Sequence, residues 1–197
     1  MRKTINCFIP YEENTAIDKV VTALKDSIVV NKIYLLTTAH GSMPSVPAGC
    51  EPFTIDSLNS SDTIKKIAQK ADTPFTLLYT KASPFELGYM ALERIADFLQ
   101  DRKTGMVYAD HYEWKEGEKK KHPAIDYQPG SVRDDFDFGA LLAFRSEYLI
   151  GAAGMMENER EDYRYAGLYA TRLFIAETGR IVHINEYLYT CLLYTSP

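Results

Sequence analysis

Carboxylates are the side chains in this sequence that could perform acid–base or metal chemistry. Three of them fall within four residues, at Asp134, Asp135 and Asp137, and others occur at Asp110 and in the pair Glu161–Asp162. A carboxylate can remove a proton from a hydroxyl group. Crowded like charges bind a cation, cap a helix or face water, and for the run of three we favour water or a cap over a metal. The candidates for a general base are Asp110, Asp135, Asp137, Glu161 and Asp162.

The stretch FTLLYTKASPFE (75–86) raises a different possibility, because polar residues follow directly on an apolar run. In α/β folds, ligands gather outside the carboxyl ends of the strands. Thr80 offers a hydroxyl group there, and Lys81 could contact a phosphate group as a point charge. The competing interpretation of Lys81 is a solvated lysine at a strand end. Asp110 also follows an apolar run, and its competing interpretation is a turn-forming residue before a hairpin.

Cysteine and histidine are too scattered to form a recognisable site. The three cysteines, Cys7, Cys50 and Cys191, contain no Cys-x-x-Cys and have no nearby histidine pair, which excludes a standard structural zinc site. Cys7 lies in an apolar run and is predicted to be a core residue. No metalloprotease, hydrolase-elbow, phosphate-loop or dinucleotide-binding motif occurs.

The elements that must position these residues follow from hydrophobic periodicity. Short apolar runs predict strands at 5–11, 32–39, 53–56, 75–79, 105–114 and 180–190, a return strand after 114, and a strand leading into a helix within 134–149. Amphipathic spacing predicts helices at 14–29, 58–72 and 161–179, with Asn14 or Thr15 and Ser60 or Ser61 as the first two caps. Ser83, Pro84 and Glu86 predict a further helix that begins with a capping box.

This order predicts a single α/β domain. Strand–helix alternation in the first half indicates a mostly parallel central sheet flanked by helices, and the second half adds a hairpin and mixed strands. The chain has 197 residues, 46% hydrophobic and 25% charged, without an apolar run long enough to span a membrane. We therefore expect a cytoplasmic protein, either free or peripheral at the inner membrane face.

The charge balance argues against a general nucleic-acid binder. The net charge is −5 and the pI is about 5.4, whereas nucleic-acid-binding domains are usually basic. The basic run at 119–121 is interspersed with glutamates and is predicted to be a solvated hairpin tip.

The ordered set of these segments resembles the family 2 glycosyltransferases, enzymes of the GT-A fold that move a sugar from a nucleotide-sugar donor. INCFIPYEENTAIDKVVTALKDS is similar to the opening strand, proline, loop and helix of that family. VYADHYEWKEGEKKKHPAIDYQPGSVRDDFDFGALLAFRSEYL is the best match, and RIVHINEYLYT is similar to the strand that closes the catalytic domain. The similarity extends over nearly all of residues 4–190.

The resemblance implies a nucleotide-sugar site on several strand ends. An acid after strand two usually contacts the base, and Thr37 and Thr38 stand there in this chain. Another register places Asp56, Asn59 and Asp62 in that region, where IDSLNSSD is similar to an Asp-x-Gly-Ser-x-Asp stretch of the family. The implied nucleotide-sugar-binding residues are Pro10, Tyr11, Thr38, Asp56, Asn59, Thr80 and Lys81. The acidic pair that supplies the base falls on Tyr165 and Ala166, with Glu161 and Asp162 about one helical turn upstream; the catalytic candidates are then Asp110, Asp137 and Asp162.

The resemblance also implies Mg²⁺ or Mn²⁺ on the diphosphate, held by an Asp-x-Asp at the end of strand four. That position reads Thr80-Lys81-Ala82 here, so an ordinary metal site is disfavoured and metal dependence is expected to be weak or altered. The expected partners are a nucleotide-diphosphate sugar and a glycan or lipid-linked acceptor. Two other functions stay open: a non-catalytic relative serving binding or assembly, and a nucleotidyltransferase, against which the absence of a glycine-rich loop near strand one argues.

Residues 1–190 are predicted to form the glycosyltransferase-like domain. Members of the family continue beyond the last strand, so we expect a truncated chain. CLLYTSP (191–197) is predicted to be a non-native tail without functional weight.

Overall fold

The computed structural model describes residues 3–12, 16–38, 45–130, 136–158 and 162–192. The strands in those ranges are β1 (Ile5–Pro10), β2 (Val30–Thr38), β3 (Glu51–Ile55), β4 (Phe75–Tyr79), β5 (Phe85–Leu87), β6 (Thr104–Lys115), β7 (Glu118–His122), β8 (Leu141–Arg145) and β9 (Arg180–Leu192). The helices are α1 (Asp18–Asp26), α2 (Ser61–Gln69), α3 (Ala91–Phe98), α4 (Ser146–Asn158) and α5 (Gly167–Thr178).

One mixed sheet joins all the described strands. Its order is β3-β2-β1-β4-β8-β6-β9-β5, and β7 pairs with β6 outside this path. The pairings make β1, β2, β3, β4, β6 and β9 run in one direction, whereas β5, β7 and β8 run in the other. This confirms the predicted α/β domain with a mostly parallel sheet, a hairpin and mixed strands.

Helices cover both faces of the sheet, because alternate residues of the inner strands point to opposite sides. Along β1, Ile5, Cys7 and Ile9 enter the core that contains α1 and α3, whereas Phe8 enters the core that contains α2, α4 and α5. Burial on both faces explains why the parallel strands read as continuous apolar runs. Cys7 is fully buried, as predicted.

The helix predicted to begin at Ser83 is wrong. Phe85, Glu86 and Leu87 form a short strand that pairs antiparallel with β9, and Phe85 is buried against Tyr79. The free edge of β9 offers backbone hydrogen bonds that a local capping preference does not outweigh. The helix α3 instead begins at Ala91, after Met90 in a left-handed conformation with φ 51°.

Other element ends shift by a few residues. Ser60 caps α2 as predicted, with its hydroxyl accepting a hydrogen bond from the Thr63 amide. The helix α5 begins at Gly167, later than predicted, so Asp162 precedes it. The strand β9 continues through Leu192, two residues beyond the predicted strand end. Asn14, Thr15, Asp134, Asp135, Glu161 and residues 193–197 lie outside the described ranges. Among the described residues, no helix has the length and apolar character needed to cross a membrane.

Candidate functional site

The sheet has a topological switch point between β1 and β4. The chain winds outward from β1 through α1 to β2 and β3, then returns through α2, which packs in the other core, to β4 on the opposite side of β1. At such a point the connections leave the strands in opposite directions and open a crevice outside their carboxyl ends, where α/β proteins bind ligands. Pro10 and Tyr11 lie on one side of this point, and Thr80 and Lys81 on the other.

The predicted nucleotide-sugar residues lie along this edge. Thr38 is the exposed last residue of β2, and Asp56 is exposed directly after β3. The Tyr11 amide donates to the Leu36 carbonyl (2.8 Å), and its hydroxyl donates to the Ser45 carbonyl (3.2 Å). The structure therefore gathers these side chains at the ends of adjacent strands.

Asp162 is held at the start of α2 on the same edge. The Ser61 hydroxyl donates to the Asp162 carboxylate (3.3 Å) and accepts from the Tyr163 amide (3.0 Å). The Gly167 amide donates to the Asn59 carbonyl (2.7 Å). A Cβ on Gly167 would collide with the backbone of Ser60 and Ser61, so glycine permits this close approach. Asp162 itself is exposed.

The corner after β4 brings Lys81 to a carboxylate that the sequence did not single out. The Thr80 amide and hydroxyl both donate to the Ala140 carbonyl, at 2.8 and 3.2 Å. The Lys81 ammonium lies 3.7 Å from Oε1 of Glu113, and its side chain is 39% exposed. Among the residues that the structure describes, Glu113 is the anionic partner of Lys81, whose ammonium group keeps an open face toward solvent.

A stack of three rings lies beside this corner. The β6–β7 hairpin turns at Glu116 and Gly117, both with positive φ, which is the backbone of a two-residue type I′ turn. This turn pairs His111 directly with His122 across the strands. The two rings stack with centroids 4.5 Å apart, and Tyr189 of β9 stacks on the other face of His111 at 4.9 Å.

Glu113 joins the two histidines into a cluster. Its Oε1 lies 3.8 Å from Nε2 of His111, and its Oε2 lies 3.9 Å from Nδ1 of His122. The three ligand atoms lie within 4.8 Å of one another, so the group could hold a metal ion. Within the described part of the chain, no other group of three histidine, cysteine or acidic side chains meets this distance criterion.

His111 is buried and neutral. Its side chain is 2% exposed, and neither ring nitrogen has a hydrogen-bond partner among the described residues. Burial, assisted by His122 and Lys81, lowers the pKa of His111 to about 4, although Asp137 and Glu113 oppose this. A buried polar group without a hydrogen bond costs free energy of folding. The two ring nitrogens of His111 are therefore expected to have a ligand.

Asp137 orients the second histidine. Its Oδ2 lies 2.8 Å from Nε2 of His122, and its Oδ1 accepts from the Gly139 amide (2.8 Å). Partial burial raises the pKa of Asp137, but these two hydrogen bonds and the nearby imidazoles outweigh it, so the net shift is downward. An ionised carboxylate only accepts, so Nε2 of His122 carries a proton, and Nδ1 is the ring nitrogen that faces Glu113.

Gly139 and Tyr189 fix the loop that carries Asp137. The Tyr189 hydroxyl accepts from the Ala140 and Leu141 amides (2.8 and 3.2 Å). Gly139 has φ +72°, and a Cβ there would come within 2.5 Å of that hydroxyl. Both the backbone conformation and the close approach therefore require glycine.

Asp110 lies apart from this cluster, in a buried pair with His183. His183 Nε2 is 2.8 Å from Asp110 Oδ1, and the same oxygen accepts from the Ala124 amide (2.8 Å). His183 Nδ1 lies 2.6 Å from the exposed carboxylate of Asp126, and Tyr108 stacks on the ring at 4.9 Å. Asp110 is 2% exposed. Its catalytic role stays a prediction, and the contacts show that it fastens the segment after β7 to the sheet.

The corner at Thr80-Lys81-Ala82 does not fit the hard cation that the resemblance implies. Mg²⁺ and Mn²⁺ take oxygen ligands, mostly from carboxylates. This corner presents one hydroxyl group, which already donates to Ala140, and one ammonium group. The residues therefore do not form an Asp-x-Asp type of site.

The chain matches no protein-family model and no curated protein by sequence. Solved structures do match it. A segment of S. aureus TarS, residues 1–349, is 8% identical with a TM-score of 0.60 over 96% of this chain and 60% of that one. The 2-C-methyl-D-erythritol 4-phosphate cytidylyltransferase of Francisella tularensis is 10% identical with a TM-score of 0.56, over 95% and 90% of the two chains.

The chain has a GT-A-like fold. The same cytidylyltransferase from Thermus thermophilus agrees with this, at 10% identity and a TM-score of 0.53 over 93% of this chain and 89% of that one. This is the fold that the resemblance predicted, and at these identities the likeness concerns the fold alone. The function has to be argued from the site.

Sequence reasoning missed His111, Glu113, His122 and His183. One signal could have found the first cluster: with the turn placed at Glu116–Gly117, positions 111 and 122 face each other, and Glu113 shares their side of β6. Nothing local points from Asp110 to His183, because that contact joins residues 73 positions apart.

Proposed function

We propose that this protein is a glycosyltransferase that binds a nucleotide-diphosphate sugar at the β1/β4 switch point and transfers the sugar to a hydroxyl acceptor. The observation that carries the proposal is the gathering of Pro10, Tyr11, Thr80 and Lys81 at the carboxyl ends of the two strands that flank this point. The fold is in keeping with a nucleotide-containing substrate, because two of the neighbours are named as cytidylyltransferases. Acceptor and donor sugar are left undefined.

Lys81 is proposed to neutralise the leaving diphosphate. An ammonium group has three donors, and Glu113 at 3.7 Å occupies one side only. A charge-assisted contact of this kind is stronger than a neutral hydrogen bond. Lys81 thus replaces the divalent cation for which this corner has no ligands.

Asp162 is proposed as the base. It is exposed and is positioned by the Ser61 hydroxyl at the N-terminus of α2, on the same sheet edge. In the reaction the acceptor oxygen forms a bond to the anomeric carbon while the bond from that carbon to the diphosphate oxygen breaks. The hydroxyl proton passes to the Asp162 carboxylate, and the nucleoside diphosphate leaves with the electron pair.

Calorimetric titration of the full chain tests the binding part. UDP-glucose, UDP-N-acetylglucosamine and GDP-mannose are titrated with EDTA present, and at least one should release heat. The Lys81→Gln variant should bind that donor about 10-fold or more weakly, as for a charged hydrogen bond. The control Lys70→Gln removes the same charge at the C-terminal end of α2, away from the strand ends that form the proposed site. This variant should bind the donor like the parent. No heat with any donor would contradict the proposal.

Nucleotidyl transfer is a second candidate. The cytidylyltransferases match this chain over 89 and 90% of their own length, against 60% of the TarS segment. CTP binding followed by pyrophosphate release would favour this reaction. Binding of a nucleotide sugar without any turnover, in the presence of simple sugar acceptors or water, would favour the non-catalytic relative.

A further inference from the structure

The His111–Glu113–His122 cluster offers two imidazole nitrogens and one carboxylate. This set differs from the two aspartates that the resemblance implies at the corner after β4. We propose that it is a binding site for a first-row transition-metal ion of the Zn²⁺ class. The inference does not depend on sugar transfer, because it concerns metal binding by the side chains of the β6–β7 hairpin.

The ligand types select the metal. Two imidazoles and one carboxylate are a common three-residue set for Zn²⁺, and imidazole ligands disfavour Mg²⁺ and Ca²⁺, which take oxygen. Three protein ligands leave at least one coordination position for water or for an oxygen of a bound molecule.

The spacing of the ligand atoms is close to what a metal requires. Tetrahedral bonds of about 2.0–2.1 Å place ligand atoms about 3.3 Å apart. The observed separations are 3.8 Å from His111 Nε2 to Oε1 of Glu113 and 3.9 Å from His122 Nδ1 to Oε2, and one ligand atom from each residue lies within 4.8 Å of the others. The set is therefore wider than a tetrahedral site by roughly 0.5–1.5 Å. Small side-chain rotations close such a gap, and the direct pairing of His111 with His122 already fixes the backbone.

Two independent observations point to a ligand. The first is His111, which is 2% exposed and whose ring nitrogens have no hydrogen-bond partner among the described residues. The second is the hydrogen bond from His122 Nε2 to Asp137, which aims the Nδ1 lone pair at Glu113. Metal-bound histidines commonly donate their other N–H to a carboxylate in this way.

Lys81 competes with the ion for Glu113. Its ammonium is nearest the same oxygen, Oε1, that faces His111. A bound cation would repel it, and because Lys81 is half-exposed its flexible stem can turn toward solvent. Metal binding should therefore release Lys81 from its partner, and Lys81→Gln should strengthen metal binding.

Equilibrium dialysis of the tag-free full chain against Zn²⁺, with metal analysis by mass spectrometry, tests the site. One equivalent should be retained, and Co²⁺ should give the visible absorption of a low-symmetry nitrogen–oxygen site. Glu113→Gln and His122→Gln should each abolish stoichiometric retention. Asp137→Asn should weaken binding by about 10–100-fold, as is usual for the partner of a ligating histidine.

Matched controls separate this site from surface binding. Glu118→Gln removes an exposed carboxylate from the same hairpin and should leave one equivalent bound. Circular dichroism is used to check that each variant is folded. If Glu113→Gln is unstable, His122→Gln serves as the second variant, because His122 is half-exposed. Failure to retain one equivalent, or retention that survives both ligand substitutions, would overturn the proposal. Either result leaves the nucleotide-sugar titration with EDTA unaffected, so the two proposals fail separately.

Discussion

Asp110 and His183 form a buried carboxylate–imidazole pair, in which Oδ1 and Nε2 lie 2.8 Å apart. The pair links β6 to β9, and through the Ala124 amide it also holds the segment after β7. The acid that was a candidate base is therefore committed to contacts within the protein.

Removing the Asp110 carboxylate should destabilise the fold. Asp110→Ala leaves the Ala124 amide and Nε2 of His183 without their acceptor, which should cost about 1–3 kcal/mol in the free energy of unfolding. Urea denaturation measures this. Asp110→Asn keeps an acceptor oxygen and should lower the free energy of unfolding by less. Asp126→Asn changes a side chain that is 83% exposed and should lower it by less than about 1 kcal/mol. Equal stability of Asp110→Ala and the parent would refute the assigned role.

Gly139→Ala should be more costly than the same substitution at another glycine of positive φ. Both Gly139 (φ +72°) and Gly130 (φ +86°) require the left-handed conformation, which costs a non-glycine residue about 1–2 kcal/mol. A Cβ on Gly139 additionally meets the Tyr189 hydroxyl, whereas no described residue lies within 4 Å of a Cβ on Gly130. Overpacking of the kind expected at Gly139 adds about 1–3 kcal/mol. Urea denaturation of both variants should show this difference; identical losses would mean that the contact relaxes freely.

Gly154→Ala should stabilise the protein, and Gly167→Ala should not. Gly154 lies inside α4, and no described atom lies within 4 Å of the position of a Cβ, so alanine should add about 0.5–1 kcal/mol. A Cβ on Gly167 meets the backbone before α2 and should push Asp162 from its place beside Ser61. Thermal unfolding compares the two. A stabilising Gly167→Ala variant would show that the contact between these segments is loose.

His122 should carry its proton on Nε2 when it is neutral. Asp137 accepts from that nitrogen, and Nδ1 is left as a lone pair. Two-bond ¹H–¹⁵N correlation spectra of the metal-free protein distinguish the tautomers. Asp137→Ala removes the acceptor and should give a mixture of both forms. A neutral ring with its proton on Nδ1 in the parent protein would contradict the orientation on which the metal site is built.

Asp72 should stabilise the fold only above acidic pH. Hydrogen bonds from the buried Asn6 amide and from Lys32 lower the pKa of Asp72 below its ordinary value. Its contribution is therefore fully present above the carboxyl pKa of the unfolded chain, near 4, and is lost as the pH falls through the lowered folded value.

Urea denaturation as a function of pH measures that contribution. Since Asp72 is 57% exposed, solvent screening limits it to less than about 1 kcal/mol at neutral pH. Asp72→Asn should lose it at pH 7 and match the parent at low pH. Asp62→Asn breaks the exposed pair with Lys66 and should have a smaller effect. A deficit in Asp72→Asn that persists at low pH would contradict the assignment.

Local patterns were enough to predict much of the fold. The continuous apolar run of β1 is readable in the sequence because this strand is buried on both faces. The amphipathic spacing of α1 and α2 is readable because each helix buries one side against the sheet. The Ser60 cap was readable for the same reason, since its hydrogen bond spans three residues. The strand β5 was not, because its partner in β9 lies about a hundred residues further along.

The sequence by itself determined most of the strands and helices, although not β5, and placed Thr80 and Lys81 at a strand end. Only the tertiary structure decided what these residues meet. Glu113 reaches Lys81, and His111 faces His122, through the register of β6 with its neighbours; Asp110 turns to His183 through the parallel pairing of β6 and β9. A hydrophobic pattern records which side of an element is buried, whereas the partners of a polar side chain depend on register and distance between strands far apart in the chain.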